Sequence, residues 1–448
     1  MQLLQQLFPK SQNSSSSSRL VNVAIVSSSL FIAYFFLSLL LLHTTKYVNL
    51  SSPAEAPPSP PSPTSVEHLV FGIASNEKSW RTRKDYVGLW WKADQMRGCV
   101  FLDQMPSSQN DTASLPPICV SEDTSRFPYT YRGGLRSAIR VARVVSETVA
   151  LNHSNVRWFV FGDDDTVFFP ENLVKTLSKY DHELWHYIGT NSEVFMQNKF
   201  FSFEMAFGGA GFAISYPLAK VLAKVFDSCI VRYPHLYGSD ARVHTCIAEL
   251  GIGLTREPGF HQTTIGALTH LMQAARADSH RLLQQTVCYD PWFAWTVSVS
   301  WGYAVQVFDK HLSLPDVLRT QRTFKPWKKG NVLAESFNFD MMKEYHLDPC
   351  QRPAVFFLDK VETNGDGLTR SSYRSFGRDN CTNINVASPK KLEEVRVWSN
   401  KLELDIKQLQ APRRHCCDVL PSSAGEVMEI GIRECQEEEL IFMHLSLA

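Results

Sequence analysis

Three consecutive aspartates, Asp163, Asp164 and Asp165, are the residues of this sequence whose types and spacing most clearly suggest chemistry. They follow the apolar run Trp158–Phe161 and Gly162, a pattern that predicts a buried strand. Adjacent carboxylates repel one another, so this position needs a cation or hydrogen-bond donors. Carboxylate oxygens suit Mg²⁺ or Mn²⁺, and such an ion can bridge a diphosphate leaving group. The triplet predicts a metal site, with a solvated acidic loop as the alternative.

The elements around this triplet alternate between strand and helix patterns. Leu69–Ala74 predicts a buried strand, Gly134–Leu151 has apolar residues at helical spacing, and Pro170–Tyr180 predicts a helix with proline in its first turn. Such alternation predicts an α/β fold with a mostly parallel sheet, and ligands bind at the carboxyl ends of strands in such sheets. The alternating, aromatic stretch 292–308 predicts antiparallel strands packed against that sheet.

Four segments, taken in order, resemble the motifs of the Fringe-like glycosyltransferases. They are Phe161-Gly-Asp-Asp-Asp-Thr-Val, Gly208-Gly-Ala-Gly-Phe-Ala-Ile-Ser, Tyr237-Gly-Ser-Asp-Ala-Arg-Val and Gly259-Phe-His-Gln. The chain is most similar to a plant subgroup of Fringe-related proteins, over about Val66 to Val419. The combination in this order is specific, whereas each motif alone would be weak.

The resemblance implies a fold and a reaction. The fold would be GT-A-like, a Rossmann-type mixed sheet flanked by helices. The reaction would be an inverting, metal-dependent transfer of a hexosyl-type sugar from a UDP-sugar to a hydroxyl of a glycan or glycoprotein, with Mn²⁺ or Mg²⁺ as the ion. No nucleic-acid partner is expected, and equal numbers of basic and acidic residues, 45 each, argue against a general polyanion binder.

The resemblance also implies roles for single residues. Asp165 would bind the metal, while Asp163 and Asp164 would contact the ribose of the nucleotide or support the site. Asp240 would be the general base, and its alternative role is the N-cap of a helix over Ala241–Leu250. The glycines of the second motif would let the backbone approach donor or acceptor, or else form a simple tight turn; they are Gly208, Gly209 and Gly211.

The segment after the fourth motif departs from the related proteins. His261 is the candidate second metal ligand, but a lone histidine is also common as a structural residue. The related proteins carry a longer stretch here, and only 20 residues separate Gln262 from Leu283. An alternative is therefore a catalytically inactive, Fringe-like membrane protein that binds glycans.

A different class of enzyme is suggested by His182-Glu183-Leu-Trp-His186. On a helix, the pattern His-Glu-x-x-His places two zinc ligands on one face beside a glutamate base, as in zincin-like metalloproteases. The residues after His186 predict a strand, where Glu183 would point away from both histidines.

The N-terminal region predicts a membrane anchor. Leu20–Leu42 is uncharged and long enough to cross a bilayer as a helix. Lys10 and Arg19 precede it, which predicts a cytosolic N-terminus and a luminal C-terminal part. The expected organisation is a cytosolic tail (1–19), a signal anchor (20–42), a proline- and serine-rich stem (43–65), a luminal domain (66–420) and a C-terminal tail (421–448), in the Golgi membrane. A cleaved signal peptide is the alternative for the apolar segment.

Ten cysteines lie in the predicted luminal part. An even number in an oxidising compartment predicts disulfide bonds, although spacing alone does not give the pairing. Cys416 and Cys417 are expected to bond to different partners.

Overall fold

A computed structural model describes residues 26–38, 63–106, 113–192, 195–260, 268–318, 348–375, 381, 387–422, 425–437 and 439. The chain divides into two compact units, Met1–Ser62 and Pro63–Ala448. In the first unit, residues 26–38 are helical and cover part of the expected anchor Leu20–Leu42, the rest of which lies outside the described residues. Across the described ranges, no helix combines the length and apolarity that a bilayer span requires.

The second unit begins with a seven-stranded mixed sheet. Its strands are β1 (Leu69–Ala74), β2 (Arg97–Leu102), β3 (Ile118–Val120), β4 (Trp158–Asp163), β5 (Tyr187–Gly189), β6 (Phe212–Ser215) and β7 (Leu254–Arg256). They lie in the order β3-β2-β1-β4-β6-β5-β7. The first four of these are parallel, and β6 pairs antiparallel with both β4 and β5. The predicted mixed α/β architecture is confirmed.

Where the structure describes the chain, six helices connect these strands, and three more follow the last strand of this sheet in the chain. In chain order they are α1 (Glu77–Gly88), α2 (Ser137–Ala150), α3 (Pro170–Leu177), α4 (Phe195–Phe200), α5 (Tyr216–Arg232), α6 (Ser239–Glu249), α7 (Leu268–Ala277), α8 (Leu314–Val317) and α9 (Ile406–Gln410). Local sequence explains several starts: the Asn76 side chain caps α1 by accepting a hydrogen bond from the Ser79 N–H, and Pro170 occupies the first turn of α3, where no N–H is needed.

An eight-stranded sheet follows in the chain. Its strands are β8 (Gln285–Tyr289), β9 (Thr296–Ser300), β10 (Ala304–Phe308), β11 (Ala354–Thr363), β12 (Leu368–Ser375), β13 (Glu394–Asn400), β14 (Cys416–Leu420) and β15 (Val427–Arg433). Antiparallel pairing joins all neighbours except β13 and β15, which are parallel. The antiparallel strands predicted within 292–308 are confirmed as β9 and β10.

Apolar side chains join the two sheets. Val167 and Phe169, which follow β4, pack against the core of the eight-stranded sheet and also against the core beneath the first sheet. Leu89, at the end of α1, contacts both cores as well. The segment that carries the acidic triplet is therefore fixed on both sides by hydrophobic burial, which stabilises the fold roughly in proportion to the apolar area removed from water.

The expected boundary between the luminal domain and a C-terminal tail at residue 421 is wrong. Strand β15 lies within 421–448 and occupies an interior position of the eight-stranded sheet, between β13 and β14. Its alternating residues Met428, Ile430 and Ile432 are buried. This period-two pattern is the signal of a half-buried strand, and it outweighs the acidic composition of the surrounding residues.

All ten cysteines form disulfide bonds, as predicted. The pairs are Cys99–Cys119, Cys229–Cys246, Cys288–Cys417, Cys350–Cys381 and Cys416–Cys435. Cys416 and Cys417 are adjacent on β14 and bond to different partners, because successive side chains of a strand point to opposite faces. The Cys288–Cys417 bond also ties the first strand of the second sheet to β14.

Candidate functional site

The acidic triplet lies at the carboxyl end of β4, as its sequence predicted. Asp163 is the last residue of β4 and lies opposite Ala74, the last residue of β1. Because β1 and β4 are parallel and adjacent, their carboxyl ends open at the same edge of the sheet. This is the edge at which open α/β sheets bind ligands.

Asp164 and Asp165 share one arginine. The buried Asp164 carboxylate accepts a hydrogen bond from Ser75 Oγ at 2.6 Å and another from Arg83 Nη1 at 2.9 Å. The same Arg83 nitrogen lies 2.9 Å from Asp165 Oδ2. Asp165 remains partly exposed at 36% of its side-chain surface, so one side of this carboxylate faces solvent. Of the triplet, Asp165 is therefore the carboxylate best placed for a ligand that arrives from solution.

Asp163 faces the interior of the site. Burial, together with the negative charges of Asp240, Asp165 and Asp164, raises the pKa of its carboxyl to about 8, although Arg83 acts in the opposite direction. The Asp163 N–H donates to Thr166 Oγ1 at 2.8 Å, which holds the turn after β4 in place. The structure thus keeps a carboxyl where its ionised form is disfavoured unless positive charge is added.

Asp240 comes to this carboxyl from a distant part of the sequence. It occupies the first turn of α6, and its Oδ2 accepts a hydrogen bond from the Gly208 N–H at 3.0 Å. Its other oxygen accepts from Ser239 Oγ at 3.1 Å. Gly238 is the N-cap of this helix, so the alternative role of Asp240 as the N-cap is wrong. Burial raises the pKa of Asp240, a shift that the Gly208 N–H partly offsets.

The glycine-rich segment forms a short 3-10 turn, Gly208–Ala210, ahead of β6. A Cβ atom at Gly208 would lie 2.5 Å from Asp240 Oδ1, so only glycine permits the contact with that carboxyl. Gly211 has φ +79°, a conformation that side chains rarely adopt. The carbonyl of Gly209 accepts from Thr166 Oγ1 at 3.2 Å, which links this turn to the end of β4. The segment is a tight turn that also brings backbone to the site.

A pocket lies between the sheet, α2 and α6, and both carboxyls contribute to its wall. Its polar lining is formed by Asp163, Gly208, Ser239 and Asp240. The remaining lining is apolar and comes from Gly72, Ala74, Val141, Val144, Val145, Phe161, Phe212 and Val243, together with Gly162. A carboxyl with a raised pKa in an apolar pocket is suited to proton transfer near neutral pH.

The donor set at the end of β4 fits a hard divalent cation. Four carboxyls, those of Asp163, Asp164, Asp165 and Asp240, converge there, and Arg83 is the arginine that pairs with them in the described part of the chain. Oxygen ligands and excess negative charge are what Mg²⁺ and Mn²⁺ require. His261, the candidate second ligand, lies outside the described residues.

Two other groups of metal-ligand type are not metal centres. Among the described residues, the group of three whose ligand atoms lie within 4.8 Å of one another is Cys416, Cys435 and Glu439, and its two cysteines are joined as a disulfide. The helix that a zincin-like site needs is absent at His182 and His186, because the described segment 178–186 consists of turns before β5. His186 instead packs between the rings of Trp158 and Tyr180. The metalloprotease interpretation is wrong.

Sequence reasoning missed Ser75, Arg83 and Thr166, which bind the acidic triplet. Ser75 directly follows β1, so its place beside the end of β4 follows once these two strands are known to be neighbours. Arg83 lies on α1, the helix that follows the same strand. Its only signal in the sequence is the basic run 81–84, which is common on exposed helix faces.

Comparisons with known proteins match part of this chain to a family model and find similarity to individual proteins. A family model described as "Protein of unknown function, DUF604" matches residues 197–266 and 263–417. Beta-1,3-N-acetylglucosaminyltransferase lunatic fringe of Danio rerio is 24% identical over 265 residues, covering 53% of this chain, and the chain spans 64% of that relative's length. A solved structure, mannosyltransferase PcManGT from Pyrobaculum calidifontis in complex with GDP-Man and Mn²⁺, aligns at 16% identity and a TM-score of 0.26. That alignment covers 57% of this chain and 74% of the other.

Proposed function

We propose that this chain is a Fringe-like, inverting glycosyltransferase with a GT-A-like fold, a proposal supported by its 24% identity to lunatic fringe over 265 residues. It moves a hexosyl-type sugar from a UDP-sugar to a hydroxyl of a glycan or glycoprotein. The single observation that carries the proposal is the meeting of Asp240 and the acidic end of β4 around one pocket. A base and a charged donor site must lie side by side for such a transfer.

Asp240 acts as the general base in this proposal. The acceptor oxygen attacks the anomeric carbon, the bond from that carbon to the phosphate oxygen breaks, and UDP leaves with the bonding electrons. The acceptor proton passes to the Asp240 carboxylate, which the Gly208 N–H and the Ser239 hydroxyl hold in position. Attack opposite the leaving group inverts the anomeric centre. Burial raises the pKa of Asp240, which brings its basicity closer to neutral pH.

Asp165 would hold Mn²⁺ or Mg²⁺, and Asp163 and Asp164 would contact the ribose or support the site. When bound, the ion neutralises charge on the diphosphate. Ser75 and Arg83 keep Asp164 in a fixed orientation, and Arg83 lies at the exposed side of Asp165, where a diphosphate would approach. Its guanidinium presents donors that suit phosphate oxygens. Gly208 keeps a side chain out of the space beside Asp240, whereas a Cβ atom at Gly209 or Gly211 would meet Phe207 or Phe168.

The experiment measures UDP release by the purified full chain from a panel of UDP-sugars, with Mn²⁺ and with a chelator. We expect one UDP-sugar to be hydrolysed or transferred only with the ion. We expect Asp240→Asn to reduce the rate by about 10²–10⁴-fold, the usual contribution of a general base, while Mn²⁺ binding persists. Asp165→Asn is expected to weaken Mn²⁺ binding itself, measured by calorimetry.

The matched control is Asp227→Asn, a carboxylate outside the pocket, for which we expect normal turnover. An Asp240→Asn protein with unchanged turnover would refute the assignment of the base. A wild-type protein that binds a UDP-sugar and Mn²⁺ without turning it over would instead support the glycan-binding alternative, which the short stretch between Gln262 and Leu283 favours.

We place this enzyme in the Golgi membrane as a single-pass type II protein, with residues 1–19 cytosolic, 20–42 as anchor and 43–65 as stem. The uncharged run Leu20–Leu42 and the preceding Lys10 and Arg19 support this orientation. Five disulfide bonds support an oxidising compartment for the second unit. Protease treatment of sealed microsomes tests it: digestion of the second unit without detergent would contradict a luminal position.

A further inference from the structure

Three aromatic side chains from separate parts of the sequence form a row beside the candidate base. The Tyr131 and Tyr237 rings meet edge to face with centroids 5.1 Å apart. The Phe201 and Tyr237 rings are stacked, with centroids 6.3 Å apart and an interplanar angle of 27°. Tyr131 is 45% exposed and Phe201 is 37% exposed, so the row faces solvent. We call Tyr131, Tyr237 and Phe201 the aromatic row.

Hydrogen bonds from the Arg242 and Tyr129 side chains hold the backbone around Tyr237. Arg242 is buried, and its guanidinium donates to the carbonyls of Leu236 and Gly238, both at 2.8 Å. Tyr129 donates its hydroxyl to the Tyr237 carbonyl at 3.0 Å, and the Arg242 guanidinium lies over the Tyr129 ring, 5.0 Å from its centroid. A buried charge bound to two carbonyls is costly to displace. The backbone that carries the central ring of the row therefore keeps its position without a ligand.

Two members of the row lie on segments that lead to the candidate base or to its partner Gly208. Tyr237 precedes Asp240 by three residues, so their Cα atoms are at most about 11 Å apart. Phe201 belongs to the segment that leads from α4 to the turn at Gly208, and Gly208 binds the Asp240 carboxylate. Two of the three chain segments that carry the row thus lead to the Asp240 carboxylate, which would take the acceptor proton.

We propose that the aromatic row is the acceptor subsite and that it binds a pyranose ring with the ring's C–H face against its aromatic side chains. This inference rests on the proposed function. Aromatic faces carry partial negative charge, which attracts the polarised C–H groups of a sugar. The tyrosine hydroxyls add polar groups at the margin, the combination of aromatic surface and few polar contacts that small-ligand sites show. A neutral sugar also suits a place beside Asp240 and Asp163, whose carboxylates would repel a second phosphate group.

Preorganisation gives the row a further consequence. Since Arg242 and Tyr129 fix the backbone at Tyr237, the stacked sugar is oriented relative to Asp240 without ordering a loop. Less conformational entropy is lost on binding. The row therefore decides which acceptor hydroxyl lies within reach of the base, and so the linkage that is formed.

The test uses the full chain and methyl glycosides of glucose, galactose, mannose, fucose, N-acetylglucosamine and N-acetylgalactosamine as acceptor probes. Binding is followed by saturation-transfer NMR, and UDP release is measured with and without each glycoside. We expect Tyr237→Ala and Phe201→Ala each to raise the acceptor KM by about tenfold or more, because a stacked ring face is lost. Hydrolysis of the UDP-sugar without acceptor should stay at the wild-type rate. Tyr237→Phe should retain glycoside binding.

Phe357→Ala is the matched control, since Phe357 is equally exposed at 37% but lies on β11 of the second sheet. Wild-type glycoside binding in both alanine variants of the row would overturn the inference while leaving the proposed function intact. Loss of binding in those variants of a protein that never releases UDP would support the subsite and refute the transferase. Binding of phosphatidylcholine vesicles through the row, without binding of any glycoside, would overturn the inference in favour of a membrane contact.

Discussion

Two clusters of charged side chains in the second unit differ in how their charges are balanced. The acidic site has four carboxyls, those of Asp163, Asp164, Asp165 and Asp240, and the guanidinium of Arg83. The second cluster, which we call the arginine cluster, joins α2 to α5 and pairs two arginines with three carboxylates; its members are Arg126, Arg143, Glu122, Glu147 and Asp227.

Every carboxylate of the arginine cluster has an arginine partner. Arg143 is 5% exposed and places a different nitrogen on each of three carboxylates, at 2.8 to 2.9 Å. For Asp227, burial would raise the pKa, but the hydrogen bonds from Arg143 and Arg126 lower it. In the acidic site the balance is reversed, and the pKa of Asp163 is raised to about 8. A cluster in which every carboxylate is paired with an arginine holds helices together. A cluster with carboxylates that no arginine pairs is arranged to receive a positively charged ligand.

The largest expected effect breaks the arginine cluster. Arg143→Met removes the partner of Glu147, whose side chain is 9% exposed, and leaves an uncompensated buried carboxylate. We expect the free energy of unfolding to fall by about 3–5 kcal/mol, measured with urea at pH 7. Arg126→Met is the control, because Arg126 is 55% exposed and its ion pairs should contribute under about 1 kcal/mol. Equal losses in the two variants would contradict a structural role specific to Arg143.

A smaller effect is expected from the arginine of the acidic site. Arg83→Gln removes a charged hydrogen bond from buried Asp164, and we expect a loss of about 1–3 kcal/mol in the presence of a chelator. Millimolar Mn²⁺ should restore most of that stability, since the ion binds the folded state and replaces the missing charge. Mn²⁺ should not restore the stability of the Arg143→Met variant. If Mn²⁺ restored the stability of both variants, or of neither, the two clusters would not differ in their need for a cation.

The last effect is the direction in which protein stability changes with pH through Asp163. The pKa of Asp163 is about 8 in the folded protein and near 3.8 when unfolded, so its contribution to stability is complete below pH 3.8 and is lost as pH rises towards 8. The Asp163→Asn variant has no carboxyl to ionise at this position, so it should keep its stability as pH rises towards 8. We expect its melting temperature in chelator to equal that of the wild type near pH 4 and to exceed it by about 2–4 °C at pH 8.5.

Asp227→Asn should show the opposite sign. The pKa of Asp227 is lowered in the folded protein, so its carboxylate stabilises above its unfolded pKa, and that stability is lost as pH falls through the folded value. The variant should therefore melt below the wild type at pH 7, and the difference should shrink in acid. Melting curves of both variants from pH 4 to 9 provide the check. Shifts in the same direction would show that charge balance does not separate the two clusters.

Local sequence determined much of the first sheet and the position of its acidic edge. The apolar run before Asp163 specifies a strand, and the carboxylates that end it must lie at that strand's carboxyl end, whatever the rest of the chain does. Motif resemblance added Asp240 and the glycines of the turn at Gly208. The number of cysteines indicated disulfide bonds but left their partners open.

The tertiary structure alone decided which of these residues meet. Arg83 reaches Asp164 across 81 positions, and Gly208 reaches Asp240 across 32, because the strand order places β1 beside β4 and α6 beside the turn. The same reason explains β15, whose parallel pairing with β13 no local pattern specifies. Sequence periodicity fixes which face of an element is buried. The partner across that face depends on the packing of the whole unit, and so does the balance of charge that separates the acidic site from the arginine cluster.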